Sequence, residues 1–81
     1  MIGSVLKAIE ILELFSPDRP ELSLAEISAK LQYPKTTVHT ILKTLLSKEF
    51  VEQSSAGFYS LGTAIIPMTQ SVRVNVQLRD R

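Results

Sequence analysis

Ser23-Leu24-Ala25-Glu26-Ile27-Ser28-Ala29-Lys30-Leu31-Gln32-Tyr33-Pro34-Lys35-Thr36-Thr37-Val38-His39-Thr40-Ile41-Leu42-Lys43-Thr44-Leu45-Leu46-Ser47-Lys48 reads as two helices separated by three residues. Ser23 and Glu26 have the spacing of a capping box, in which the hydroxyl accepts from a backbone N–H three residues on and the carboxylate reaches back. Leu24, Ile27 and Leu31 then share one face of a short helix. Gln32-Tyr33-Pro34 breaks it, and Pro34 suits the first position of the next helix, where an N–H has no partner. From there to Lys48, Val38, Ile41, Leu42, Leu45 and Leu46 form a wide apolar stripe. Steps of 100° per residue place Thr36, His39, Thr40, Lys43 and Ser47 on the opposite face, which is small, polar and basic and carries no acid.

Outward from this pair, Ser4 to Phe15 has Val5, Ala8, Ile9, Leu12 and Phe15 at helical spacing, a predicted inward face. Lys7, Glu10 and Glu13 lie opposite, with Leu6 and Leu14 among them. Ser16-Pro17-Asp18-Arg19-Pro20 predicts a loop. After Lys48, Phe50–Gln53 and Phe58–Leu61 read as short strands, separated by Ser54-Ser55-Ala56-Gly57 with the glycine that a tight hairpin favours. The tail leaves two readings open over residues 70–79. Leu61, Ile65, Met68, Val72 and Val76 align on a helical face, whereas Val72 to Leu78 alternates as a strand does, and Pro67 would kink a helix it interrupts.

The charge is polarised along the chain. Nine Lys+Arg against eight Asp+Glu give a net +1 over 81 residues. Residues 1–26 carry a net −3, residues 27–48 a net +4 with no acid, and residues 49–81 sum to zero. The basic block falls on the helix pair, which fits an anionic partner. Without cysteine and with one histidine, neither a disulfide nor a Cys/His metal centre can support a thin core. The longest apolar run, Ala64 to Met68, is far below the ~20 residues that span a bilayer. No nucleophile–base arrangement or glycine-rich phosphate loop is present, so no catalytic residue, no cofactor and no metal are expected, and Ser23 reads as a cap.

The element order predicts a mainly α winged helix-turn-helix, three helices plus a two-stranded wing, with a linker helix at the C-terminal end. In such a plan the second helix of the pair lies in the DNA major groove, about 12 Å wide, while the first braces it. Thr36, Thr37, His39 and Thr40 are of a size and polarity to meet base edges, Lys35 and Lys43 can meet phosphates or guanine edges, and Lys35, Lys43 and Lys48 together aid backbone neutralisation. Ser54, Ser55 and Gly57 would form the wing tip.

Ser4–Leu12, Leu22–Ile27, Tyr33-Pro34-Lys35-Thr36-Thr37-Val38-His39 and Gly57-Phe58-Tyr59-Ser60-Leu61-Gly62 together resemble the DNA-binding domain of IclR-type bacterial transcriptional regulators. The resemblance covers roughly residues 4–66, with every motif in order. It implies a DNA-binding unit over 1–62, and a linker helix over 63–81 leading to an effector-sensing domain absent from this chain. It also implies homodimers or homotetramers on roughly palindromic double-stranded DNA, in the cytoplasm at the nucleoid and away from membranes. Lys35, Thr36, Thr37, His39 and Thr40 match the family's recognition-helix segment. Ser23 matches the start of the bracing helix, which in relatives approaches a phosphate. Leu6, Leu14, Ile65, Met68 and Val72 are the expected dimer seam, since relatives use the first helix and the linker in this way. The sequence departs from the pattern at Thr40, where relatives often have Arg, and at Phe58 and Ser60, where the wing is often basic; this weakens the expectation of Arg–guanine readout and of strong wing contacts. With the net +1 charge, the uncharged wing keeps a second expectation in view, a winged-helix module that binds protein and not DNA.

Overall fold

A computed structural model describes residues 1–73, with the elements α1 (Gly3–Glu13), α2 (Leu24–Leu31), α3 (Lys35–Ser47), β1 (Val51–Gln53), β2 (Tyr59–Leu61) and α4 (Ile65–Gln70). Residues 74–81, which include most of the stretch left open between helix and strand, lie outside the described residues.

The capping box forms as the sequence predicts. The Glu26 N–H donates to Ser23 Oγ at 3.1 Å, and the Ser23 N–H donates to Glu26 Oε1 at 2.8 Å. Arg19, in the loop before α2, pairs with the other oxygen of the same carboxylate. These contacts, first the backbone N–H of Ser23 and then the guanidinium, hold the Glu26 carboxyl below its ordinary pKa. A group whose pKa falls on folding stabilises the fold above its unfolded pKa and loses that contribution as pH drops. The wild-type chain is therefore expected to melt above Glu26→Gln at neutral pH, with the gap closing as pH falls through the carboxylate range. Thermal melts across that range check this; a gap that persists in acid would show that the carboxylate charge is not its source.

The turn between α2 and α3 is held on several sides. Gln32 caps α2 in the left-handed region at φ 59°, its N–H donating to the Ser28 carbonyl at 2.8 Å. Ser28 Oγ donates to the Tyr33 carbonyl at 2.6 Å. The Tyr33 hydroxyl donates to the Glu10 carboxylate on α1, which raises the phenol pKa above its usual value. Pro34 is the N-cap of α3, one residue earlier than the sequence placed it, with extended ψ of 145°. Its fixed φ suits that position, and the first helical residue is Lys35.

Helix α3 ends in a Schellman motif built on a residue other than glycine. Glu49 stands at φ 63°, its N–H donating to the Leu46 carbonyl at 3.0 Å, while the Phe50 N–H reaches the Leu45 carbonyl at 2.9 Å. The chain then forms the antiparallel hairpin, with Val51 opposite Leu61 and Gln53 opposite Tyr59. Gly57 turns it at φ 94°. A further bridge joins Leu22 to Tyr59 through two backbone hydrogen bonds of 2.9 and 2.8 Å. The wing is thereby tied to the strand-like residue just before α2.

Ile11, Phe15, Leu22, Ile27, Val38, Leu42, Val51 and Tyr59 form the core, with Leu24, Leu31, Ile41, Leu45 and Leu46 packed against it. The predicted faces of α2 and α3 thus point inward. The face of α1 is corrected in part: Phe15 joins the core and Leu12 packs against it as predicted, but Ile11 is fully buried, whereas Val5 and Ile9 are about half exposed. Apolar residues lie on nearly every side of this helix, so spacing alone did not select the side that packs.

Helix α4 is also shorter than the sequence suggested. Pro67 occupies its first turn, where an absent N–H costs no intrahelical bond, and so begins the helix instead of kinking it. Ser71 is the C-cap, and Val72 and Arg73 belong to no element. The hydroxyls of Thr69 and Ser71 donate to the carbonyls of Ile66 and Pro67, and the Ser71 and Val72 N–H groups tighten to the third carbonyl back, which winds the helix to its end.

Candidate nucleic-acid interface

One side of α3 is seated on the core by Val38 and Leu42 and the other is open. Lys35, Thr36, His39, Thr40, Lys43, Thr44 and Ser47 are all exposed, and none forms an ion pair among the described residues. The outward face read from the sequence is therefore presented as expected. Thr37 differs from the others. It is half-buried and turned toward α1, where it lines a groove of about 420 Å³ with Ser4, Lys7, Thr36 and Thr40.

Several hydroxyls on the open face donate to their own helix. Thr40 Oγ1 reaches the Thr36 carbonyl at 2.9 Å and Ser47 Oγ the Thr44 carbonyl at 2.6 Å. A hydroxyl that donates in this way keeps its acceptor capacity, which suits acceptance from base amino groups.

Ser23 is half-buried, and its oxygen accepts the α2 cap bond. The Glu26 carboxylate, bonded to the Ser23 N–H, already occupies the start of α2. At the wing, Ser54 and Ser55 are exposed and Gly57 is half-buried. Ser54 Oγ accepts from the Phe58 N–H at 3.2 Å and so shapes the turn.

The expected dimer-seam residues do not share one environment. Leu14 is half-buried and packs against the core. Leu6 is 38% exposed, Ile65 is half-buried, and Met68 and Val72 are exposed, Val72 beyond the end of α4. The structure instead brings Val5, Ala8, Ile9 and Leu12 of α1 to a second, apolar groove of about 370 Å³, closed on its far side by Ile41 and Leu45 of α3.

Sequence reasoning missed the link between the turn and α1. Besides its bond to Glu10, the Tyr33 ring carries the Lys7 ammonium 5.0 Å from its centroid. No periodicity signals a contact between an aromatic in a turn and a helix so far away in sequence.

A helix presented by a braced partner and flanked by a two-stranded wing defines a winged helix-turn-helix module of the DNA-binding class. Residues 4–55 match the IclR helix-turn-helix domain, and the chain belongs to the IclR family of transcriptional regulators. It is 32% identical to the HTH-type transcriptional regulator XynR of Escherichia coli, a match covering 100% of this chain and 32% of that protein. It is 38% identical to the glycerol operon regulatory protein of Streptomyces coelicolor over 80% of this chain and 26% of that one. An IclR transcriptional regulator from Alicyclobacillus acidocaldarius superposes with a TM-score of 0.82 at 32% identity, over 86% of this chain and 29% of its own. The chain thus spans less than a third of the length of these relatives. No helix among the described residues is long and apolar enough to cross a membrane.

Proposed function

We propose that this chain is the operator-reading unit of an IclR-type regulator, acting without catalysis and recognising a specific duplex sequence by laying α3 into the major groove. The carrying observation is the open, acid-free face of α3, with Lys35, Thr36, His39, Thr40 and Lys43 exposed while Val38 and Leu42 seat the other side on the core. Thr36, His39 and Thr40 are assigned to base edges, and Lys35, Lys43 and Lys48 to phosphates. Residues 1–62 form the reading unit, and residues 63–81 lead toward an effector-sensing domain. The site of action is the nucleoid, in the cytoplasm.

Two copies are assigned to a pseudo-palindromic site. The exposed side chains of Val5, Leu6 and Ile9 along α1, with Met68 of α4, supply the apolar surface for that pairing. This moves the seam on α1 away from Leu14.

A duplex selected from a random pool by the 81-residue chain provides the test. Thr36→Ala or Thr40→Ala is expected to relax preference at one base position by up to ~1–3 kcal/mol. Lys43→Ala is expected to weaken binding to every sequence and to flatten the dependence of log K on log salt by about one unit. Titration of the variants at several salt concentrations reads both effects, and the stoichiometry reads the number of copies per site. Unchanged binding in all three variants would remove α3 from the interface, and one copy per site would remove the pairing.

A further inference from the structure

Lys7 lies in the acidic third of the chain, and its sequence surroundings give it no role. The fold relocates it. Its side chain lines the 420 Å³ groove whose facing wall is Thr36, Thr37 and Thr40, the beginning of the open face of α3. Its ammonium stands over the Tyr33 ring, whose negative face steadies a cation at the edge of the turn. Glu10, one turn further along α1, is the natural carboxylate partner for Lys7, but it receives the Tyr33 hydroxyl instead. Among the described residues Lys7 forms no ion pair. Ser4 lines the same groove.

A half-buried cation without a carboxylate, held on an aromatic face next to the residues that enter a major groove, suits an anionic oxygen beside that groove. We infer that Lys7 on α1 contacts a DNA phosphate flanking the groove entered by α3, so that the interface extends beyond the helix pair onto the first helix. This rests on the proposal that α3 enters the major groove. Tyr33 and Glu10 position Lys7 and touch no DNA themselves.

The test uses the 81-residue chain and a short random-sequence duplex labelled for fluorescence anisotropy, titrated at several potassium chloride concentrations. Lys7→Met keeps an apolar stem over Tyr33 and removes the charge, and Lys7→Arg retains the charge. The methionine variant is expected to bind about tenfold more weakly near ~0.1 M salt, with the slope of log K against log salt flattened by about one unit, and the arginine variant to restore both. A merely structural role would lower the folded fraction and the apparent affinity together at every salt concentration, leaving the slope unchanged. A wild-type slope for Lys7→Met alongside a flattened slope for Lys43→Ala would overturn the assignment of Lys7 and leave α3 in place. Wild-type protein without salt-dependent binding would overturn both.

Discussion

Gly62→Ala is expected to cost about 3 kcal/mol or more, at the upper end of what forced overpacking produces. A Cβ at this position would stand 2.1 Å from the Glu49 carbonyl oxygen and 2.8 Å from its carbon. Both are backbone atoms, so no side chain can rotate away. The approach is close because the segment after β2 folds back under the end of α3, where the Gly62 N–H donates to the Phe50 carbonyl and the Ala64 N–H to the Glu49 carbonyl. Glu49 is itself fixed in the left-handed region by the Schellman motif. For a chain of this length, about 3 kcal/mol is a large share of a total stability of roughly 5 kcal/mol. Urea denaturation should show a lower midpoint with little change in slope. A loss below about 1 kcal/mol would mean that the chain relaxes around the added carbon, and that the packing of the C-terminal segment on α3 is dispensable.

Leu42→Ala should be comparably damaging, by about 3–5 kcal/mol, because it removes a fully buried side chain from the centre of α3 and leaves a cavity. Its effect on DNA is expected to be of a different kind from that of the neighbouring Lys43. Leu42 faces the core and Lys43 the solvent, so truncating the leucine reduces the folded fraction while the folded molecules keep their base preference and salt slope. Denaturation and binding measured on the same preparation separate the two. A changed base preference in Leu42→Ala would show that core packing sets the orientation of the recognition face as well as its stability.

The sequence carried the helix pair well because its signals are local. Ser23 and Glu26 are three residues apart, the turn contains a proline, and the stripe on α3 is wide enough that only one face can be apolar. The hairpin had a glycine where a positive φ is needed, and that glycine is there at φ 94°. What escaped has long-range causes. On α1 the apolar residues nearly encircle the helix, so which of them packs depends on where α2 and α3 lie, and Ile11 is selected over Val5 and Ile9. Gln32 and Glu49 take left-handed conformations without glycine, held by hydrogen bonds to carbonyls of the preceding helices. Leu22 carried no strand signal in the sequence, and its backbone pairing to Tyr59 follows only from the folded hairpin. At the candidate interface, the exposed residues of α3 were legible from periodicity, whereas the position of Lys7 beside them follows only from the packing of α1 on α3 and from the Tyr33 ring.

The Leu22–Tyr59 bridge also bears on how such a chain folds and how far it can be trimmed. The two residues bracket α2, the turn, α3 and the first strand of the wing, so their hydrogen bonds close one loop around the whole reading apparatus. Closure of this kind is non-local and must offset chain entropy before it contributes stability. The two helices are therefore not a cassette that can be lifted out at their own boundaries. Removing the hairpin would leave the Leu22 N–H and carbonyl without partners at a fully buried position, exposing the underside of the helix pair to water. The wing serves as the fastener of the helix-turn-helix at its root, whatever its tip touches, and the smallest independently folding piece must reach at least from that loop to the second strand.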